Sequence, residues 1–238
     1  MPTEPRLCET LAFMTQVAQA YTSLMQCVLP GEESLGGTLL FAGELKNEGR
    51  ALIVASNIAG AASLVATADV SAQKQAIRHG AADFLVTTLD EALRILKNEI
   101  RKREPVSVAV SVSPESIVAE MLERGVRPDL LPPQPKSKSP EPAFAAFIEQ
   151  GAYQFSPPQF EPASKLLIWQ IPEEFSQRPA GFDAWLQEHV PQGDLRTQRW
   201  LRLSPRYLGP QARRLRSLTC DEETESKLIR KIGPPLQP

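Results

Sequence analysis

From Cys8 to Cys27 the apolar residues Leu11, Met14, Val17, Ala18, Tyr21, Leu24 and Met25 fall on one face of a helix, and Pro30-Gly31 closes the segment. After Gly36-Gly37 the spacing collapses into an unbroken apolar run, Thr38 to Ala42, which reads as a strand buried on both sides. From there the two patterns alternate. A small-residue helix is expected from about Arg50 to Ala61 and a buried strand from Ala62 to Thr67. A short helix, Ser71 to His79, stops at Gly80 and is followed by a short strand, Asp83 to Val86. Leu89 to Arg103 is a helix with Leu89, Ala92, Leu93, Leu96 and Ile100 on one face and a basic last turn, as the helix dipole prefers. Pro105 ends it. VSVAVSV, Val106 to Val112, is the next strand; Pro114 opens a helix that Gly125 caps, and Arg127 to Leu131 is a last short strand. Strands that alternate with helices need crossover connections, so residues 1–131 are expected to form an α/β unit with a doubly wound parallel sheet.

LPPQPKSKSPEP, Leu131 to Pro142, then breaks the pattern with linker composition, which places a proline-rich linker over residues 132–142. Residues 143–238 are expected to make a second, smaller unit, α/β or α+β. Its strands are read at Lys165 to Ile171 and Thr197 to Leu203, and its helices at Gly181 to Val190 and Asp221 to Ile232. Trp169, Trp185 and Trp200 each fall on an apolar element there and are expected to build its core.

Charge and composition narrow the function more than the fold. The 26 Lys and Arg against 28 Asp and Glu leave no global field to draw the molecule to nucleic acid or an anionic membrane. Ala51 to Ala68 lacks any charge over 18 residues, but it is rich in Ala, Ser and Thr and holds Asn57 and Gly60 near its centre. It therefore reads as a buried helix running into a buried strand, with no membrane partner. Cys8, Cys27 and Cys220 are odd in number and far apart, which suits neither a disulfide framework nor a zinc site. The N-terminus lacks the basic start and long apolar core of a signal peptide, and a cytoplasmic location is expected.

Few residues are candidates for chemistry. His79 and His189 are the only histidines, and neither has a ligating companion one helical turn away. No nucleophile elbow, Walker loop or HExxH motif occurs, so no catalytic residue and no metal is assigned. Arg196 to Arg216 holds seven arginines and no acidic residue, with Trp200 and Tyr207 among them, which is chemistry for phosphate forks and base stacking. The acidic run Asp221 to Glu225 follows at once and can neutralise it, so nucleic acid or free phosphate at this stretch is kept only as a further alternative.

The remaining candidate is FAGELKNEGRA, Phe41 to Ala51, between the first strand and the small-residue helix, where a dinucleotide-binding fold puts its phosphate loop. Together with LLFAGEL, IAGAASLVATAD, TLDEALRILKNEI and PVSVAV through MLERGVRPDL, it makes the segment from about Leu35 to Leu131 resemble the NAD-binding Rossmann-like domain of urocanase (urocanate hydratase). The resemblance implies a Rossmann-like sheet and, in intact members, addition of water to urocanate by a tightly held NAD acting as electrophile. It also implies a loop of the form GLGGMxGAQ. Here Gly43 and Gly49 match, whereas Glu44, Leu45, Lys46 and Arg50 are replacements. In the family's VEVD phrase Thr67 takes the Glu position and Asp69 is kept; two expected arginines are Ala72 and Ala76, a Gly-Asn pair is Val112-Ser113, and the DQTSAHDP phrase gives way to the linker.

Side chains at close-approach positions block backbone amides from phosphate oxygens, and carboxylates beside a phosphate repel it. The expectation is a degenerate relative that has lost hydratase activity and serves as a binding or assembly module, with homo-oligomer pairing through the small-residue helix. Enzyme activity is left unassigned; if present it would be that of a urocanase-related lyase. The alternative is a small nucleotide ligand, NAD or another, held in a modified mode by Gly43, Lys46, Gly49, Arg50 and Asp69.

Overall fold

The structure, a computed structural model, describes residues 4–134, 142–158, 165–191 and 193–236. The first long helix is α1, Glu4–Met25, followed by strand β1, Leu39–Glu44, and helix α2, Asn47–Ala59. Then come β2 (Ala62–Ala66), α3 (Val70–Arg78), β3 (Phe84–Val86), α4 (Leu89–Lys102), β4 (Val106–Val110), α5 (Pro114–Glu123) and β5 (Leu130–Leu131). Side chains set several of these starts: Asp69, Thr88 and Ser113 each accept backbone N–H bonds as the N-caps of α3, α4 and α5. Proline at the start of α5 fixes its first turn.

The sheet continues beyond β5. Of the expected linker, residues 135–141 lie outside the described residues, and its last residue already opens α6, Pro142–Glu149. Helix α6 leads to β6, Tyr153–Gln154, which pairs with β5. The six strands lie in the order β3-β4-β2-β1-β5-β6, all parallel. Alternate residues of the central strands face opposite layers. Leu40, Ala42, Val65 and Ala109 join the side chains of α1 and α2, whereas Phe41, Leu64, Ala66, Val108 and Val110 join those of α4, α5 and α6. Chain connections leave β1 and β5 toward opposite faces, so the switch in winding direction lies between these two neighbours, at the end of the sheet where the β1–α2 loop emerges.

The charge-free stretch is the buried heart of this unit. Ala51, Ile53, Val54, Ala55, Ile58 and Ala59 of α2 are all buried. Asn57 is buried too, and its amide donates to Ser107 Oγ at 3.2 Å and Asp83 Oδ2 at 3.4 Å, which fastens α2 across the sheet to β4. No helix among the described residues is long and apolar enough to cross a membrane. The small side chains of α2 let neighbouring helices approach closely, and the neighbours are α1 and a C-terminal helix of the same chain. The face expected to pair protomers is therefore covered from within.

The C-terminal unit comprises β7 (Lys165–Gln170), α7 (Pro179–Glu188), α8 (Leu195–Tyr207), β8 (Leu215–Cys220) and α9 (Glu222–Ile232), with single 3-10 turns after β7 and α8. One expectation fails here. Thr197 to Leu203 is helical, because Asp194 caps the segment through Thr197 N and because Trp200, Leu201, Ser204 and Leu208 bury one face at helical spacing. The second strand is instead β8, antiparallel to β7, making an α+β unit. The unit docks on the α1–α2 layer. Tyr21 Oη donates to Arg196 O at 2.8 Å, the Tyr21 and Trp200 rings lie 5.1 Å apart, and Arg199 Nε donates to Ile58 O at 2.6 Å. The last contact sets a guanidinium on the negative end of α2.

Candidate functional site

The β1–α2 loop turns at Gly43, whose φ of +76° is a conformation that side chains rarely adopt. Gly49, in the first turn of α2, is held by crowding: a Cβ placed there would lie 2.0 Å from Glu44 O and 3.3 Å from Ala42 O. One glycine makes the turn and the other lets the helix pack on the strand, the two structural duties of glycines in a phosphate loop. Between them, Leu45 N donates to Ala66 O at 2.9 Å, which turns the Leu45 side chain into the core at 3% exposure. Leu45 therefore does not crowd the mouth of the loop as its position in the sequence suggests.

Lys46 does lie at the mouth. It is the N-cap residue of α2 without a side-chain cap bond, and its ammonium is 2.8 Å from Glu44 Oε2 in a solvent-exposed pair. The hydrogen bond and charge of Glu44 raise the Lys46 pKa, and Asp69 and Glu115 add to the effect. Glu48 stands exposed in the first turn of α2. Thus the rim formed by the ends of β1, β2 and β4 carries Glu44, Glu48, Asp69 and Glu115 around one lysine. Glu115 was invisible as a rim residue in the sequence, because the topology alone brings the start of α5 beside the loop.

The two other expected contacts are engaged elsewhere. Asp69 Oδ1 accepts from Ser71 N at 2.7 Å and Ala72 N at 3.4 Å, capping α3. Thr67, at the position where the ribose-binding acid is expected, is buried, and its hydroxyl accepts from Asp69 N at 3.1 Å. Arg50 leaves the loop altogether: its guanidinium stacks over the Phe13 ring of α1 at 4.0 Å. Gly43, Lys46, Gly49 and Asp69 therefore share the sheet end, and Arg50 faces the α1–α2 packing.

The arginine-rich stretch divides in the same way. Arg199 is spent on the end of α2, and Arg216, at 6% side-chain exposure, is clasped by both carboxylate oxygens of Asp183. Trp200 is buried, with Nε1 donating to Ser217 O at 2.8 Å, so it offers no stacking face. Arg196, Arg202, Arg206, Arg213 and Arg214 remain exposed. His189 stacks on Trp185 at 4.1 Å, with Nδ1 2.8 Å from Trp185 O and Nε2 2.8 Å from Lys231 Nζ, a satisfied structural position at the end of α7. Among the described residues no group of three or more His, Cys, Asp or Glu is placed to hold a metal ion.

The ERGVRPD phrase, Glu123 to Asp129, is a set of clamps. Gly125, at φ +65°, ends α5; Arg127 Nη1 donates to Gln150 O at 2.7 Å and so ties the end of α6 to the sheet; and Asp129 Oδ2 accepts from Leu39 N at 2.8 Å at the start of β1. Arg124 joins Asp90 and Glu120 across α4 and α5. A family model, described as the urocanase Rossmann-like domain, matches residues 14–141, more than half of the chain.

Proposed function

The chain belongs to the urocanase family through its Rossmann-like domain, and from that premise we propose that it is a member without hydratase chemistry, acting as a cytoplasmic binding or assembly module. The acidic rim carries this reading. A dinucleotide presents its diphosphate to amides at a helix N-terminus, and at surface-like dielectric each carboxylate within about 4 Å of a phosphate costs on the order of 4 kcal/mol. Glu44 and Glu48 flank that position, and Lys46 is already paired with Glu44. Thr67 stands where the ribose-binding acid is expected, and the neighbouring carboxylate of Asp69 caps α3. The residues fit NAD poorly. Purified protein incubated with urocanate and NAD is expected to leave the urocanate absorbance unchanged; turnover refutes the reading.

A second reading rests on Gly43 and Gly49, which keep the turn and the close helix packing of a phosphate loop. The family's association with NAD gives it weight. It predicts that NAD, NADP or ATP raises the melting temperature, since a ligand of the native state must stabilise it. No rise at millimolar ligand removes this reading and leaves the first standing.

A further inference from the structure

The six-stranded sheet ends at β3, whose outer side has no neighbouring strand among the described residues. Its side chains are open as well. Phe84 is 46% and Leu85 40% exposed, whereas their register partners on β4, Val108 and Ala109, are buried. Phe84 shares the layer of α4 with Val108, and Leu85 shares the layer of α2 and α3 with Ala109, so both faces of the edge show an apolar group to solvent. Between β3 and α4 runs an open groove of about 820 Å³, lined by the apolar Phe84 and Ile95 and the polar Arg94, Asn98 and Glu99. A bare edge is a template for a further strand, and soluble proteins blunt it with charge, proline, a bulge or shortness; β3, Phe84-Leu85-Val86, has only its shortness. The charge pattern of α4 indicates what covers it. Asp90 and Glu91 make its first turn acidic, and Arg101 and Lys102 make its last turn basic. Asp90 and Lys102 have partners in the same chain, Arg124 and Glu99, yet their side chains stay 72% and 52% exposed. A helix of this polarity is complementary to its own copy laid antiparallel, acidic end against basic end. An edge strand pairs with itself under a two-fold axis in the same antiparallel setting. Backbone and charge therefore select one occupant.

We propose that this edge joins two copies of the chain: β3 pairs antiparallel with β3 of a second copy about an axis normal to the sheet, Phe84 and Ile95 of both copies fill the groove, and Asp90 and Glu91 of each α4 face Arg101 and Lys102 of the other. The sheet then runs unbroken through both copies. Such a dimer gives the assembly module its partner. It rests on the assembly reading alone, and urocanate turnover tests the loss of hydratase chemistry separately.

Sedimentation equilibrium of the full chain at up to ~100 μM, where a micromolar Kd leaves mostly dimer, is expected to give twice the 26.2 kDa of one chain. Leu85→Lys sets a charge on the bare edge and is expected to give a monomer with unchanged far-UV circular dichroism. Arg101→Glu with Lys102→Glu changes two exposed positions of α4 and is expected to weaken the dimer by roughly tenfold or more, a loss that shrinks in high salt. A parent that is monomeric at that concentration overturns the proposal, and so does a dimer that both variants leave at parental strength.

Discussion

Gly49→Ala is the sharpest probe of the loop. In an exposed helix interior this change stabilises by about 1 kcal/mol. At Gly49 the new Cβ would lie 2.0 Å from Glu44 O and 3.0 Å from Glu44 C, both backbone atoms that cannot swing aside. The start of α2 must then move from β1 by more than an ångström, although most of α2 is buried. Overpacking of this kind costs roughly 1–3 kcal/mol, enough to reverse the sign. Gly181 supplies a matched control. It is also the third residue of its helix, but its added Cβ meets only the Phe175 ring, Cδ1 at 3.5 Å and Cε1 at 3.8 Å, both ordinary contacts. Gly181→Ala should therefore be neutral or stabilising by up to ~1 kcal/mol. Urea unfolding followed by far-UV circular dichroism at constant slope measures both, and each lost kcal/mol lowers Tm by roughly 2–4 °C at this chain length. Gly49→Ala as stable as the parent would refute the crowding argument.

Asp183→Asn strands the buried Arg216 guanidinium and should cost about 3–5 kcal/mol, whereas Asp183→Leu with Arg216→Met recovers most of the loss. Tryptophan fluorescence reads it, because Trp169, Trp185 and Trp200 all lie in the C-terminal unit; a loss under about 1 kcal/mol counts against the buried-pair account. Burial, with Asp221 and Glu225 nearby, pushes the Cys220 thiol up to about 12, so iodoacetamide at neutral pH should modify exposed Cys8 and spare Cys220. Comparable rates at the two, read by mass spectrometry, contradict this. Burial, then Arg50 and Arg78, hold His79 below its ordinary pKa. The unfolded chain therefore binds the proton first, and the stability that His79 contributes is present above about pH 6.5 and falls as pH drops through that value toward the folded pKa. His79→Gln should flatten this limb, and unchanged slopes would dismiss the mechanism.

The first unit was legible because its elements carry chemical starts, such as Asp69, Thr88 and Ser113, or stops, such as Gly60 and Gly125. The C-terminal unit hid its second strand because Arg216 is the second residue of it. A charged residue argues against a buried strand until Asp183, distant in sequence, is known to hold it. The same distance effect made Trp200-Leu201 read as strand: the partner that selects the helix face, Tyr21, lies on α1. At the site, the structure brings Gly43, Lys46, Gly49 and Asp69 of the loop reading to one sheet end. Side-chain direction was not legible. Leu45 turns inward along a strand bond and Arg50 falls back onto Phe13, so neither acts where its place in the loop suggests.

This division explains which parts of the family resemblance persist. Gly43 and Gly125 hold positive φ, Gly49 sits against backbone, Arg127 holds the return from α6, and Asp129 anchors the start of β1. Each of these bears on the chain's own backbone, so replacing it costs folding energy whether or not a cofactor binds. The positions that differ, Glu44, Lys46, Thr67 and Ala72, lie at or beside the sheet end where a ligand would approach, and changing them leaves strand pairing intact. Loss of a ligand releases the second group and not the first. A conspicuous phrase such as ERGVRPD therefore reports the fold, and its persistence adds nothing to the case for hydratase chemistry. The residues that bear on function are the ones free to change, and here Glu44 and Glu48 set carboxylates beside the N-terminus of α2, with Lys46 already paired to Glu44.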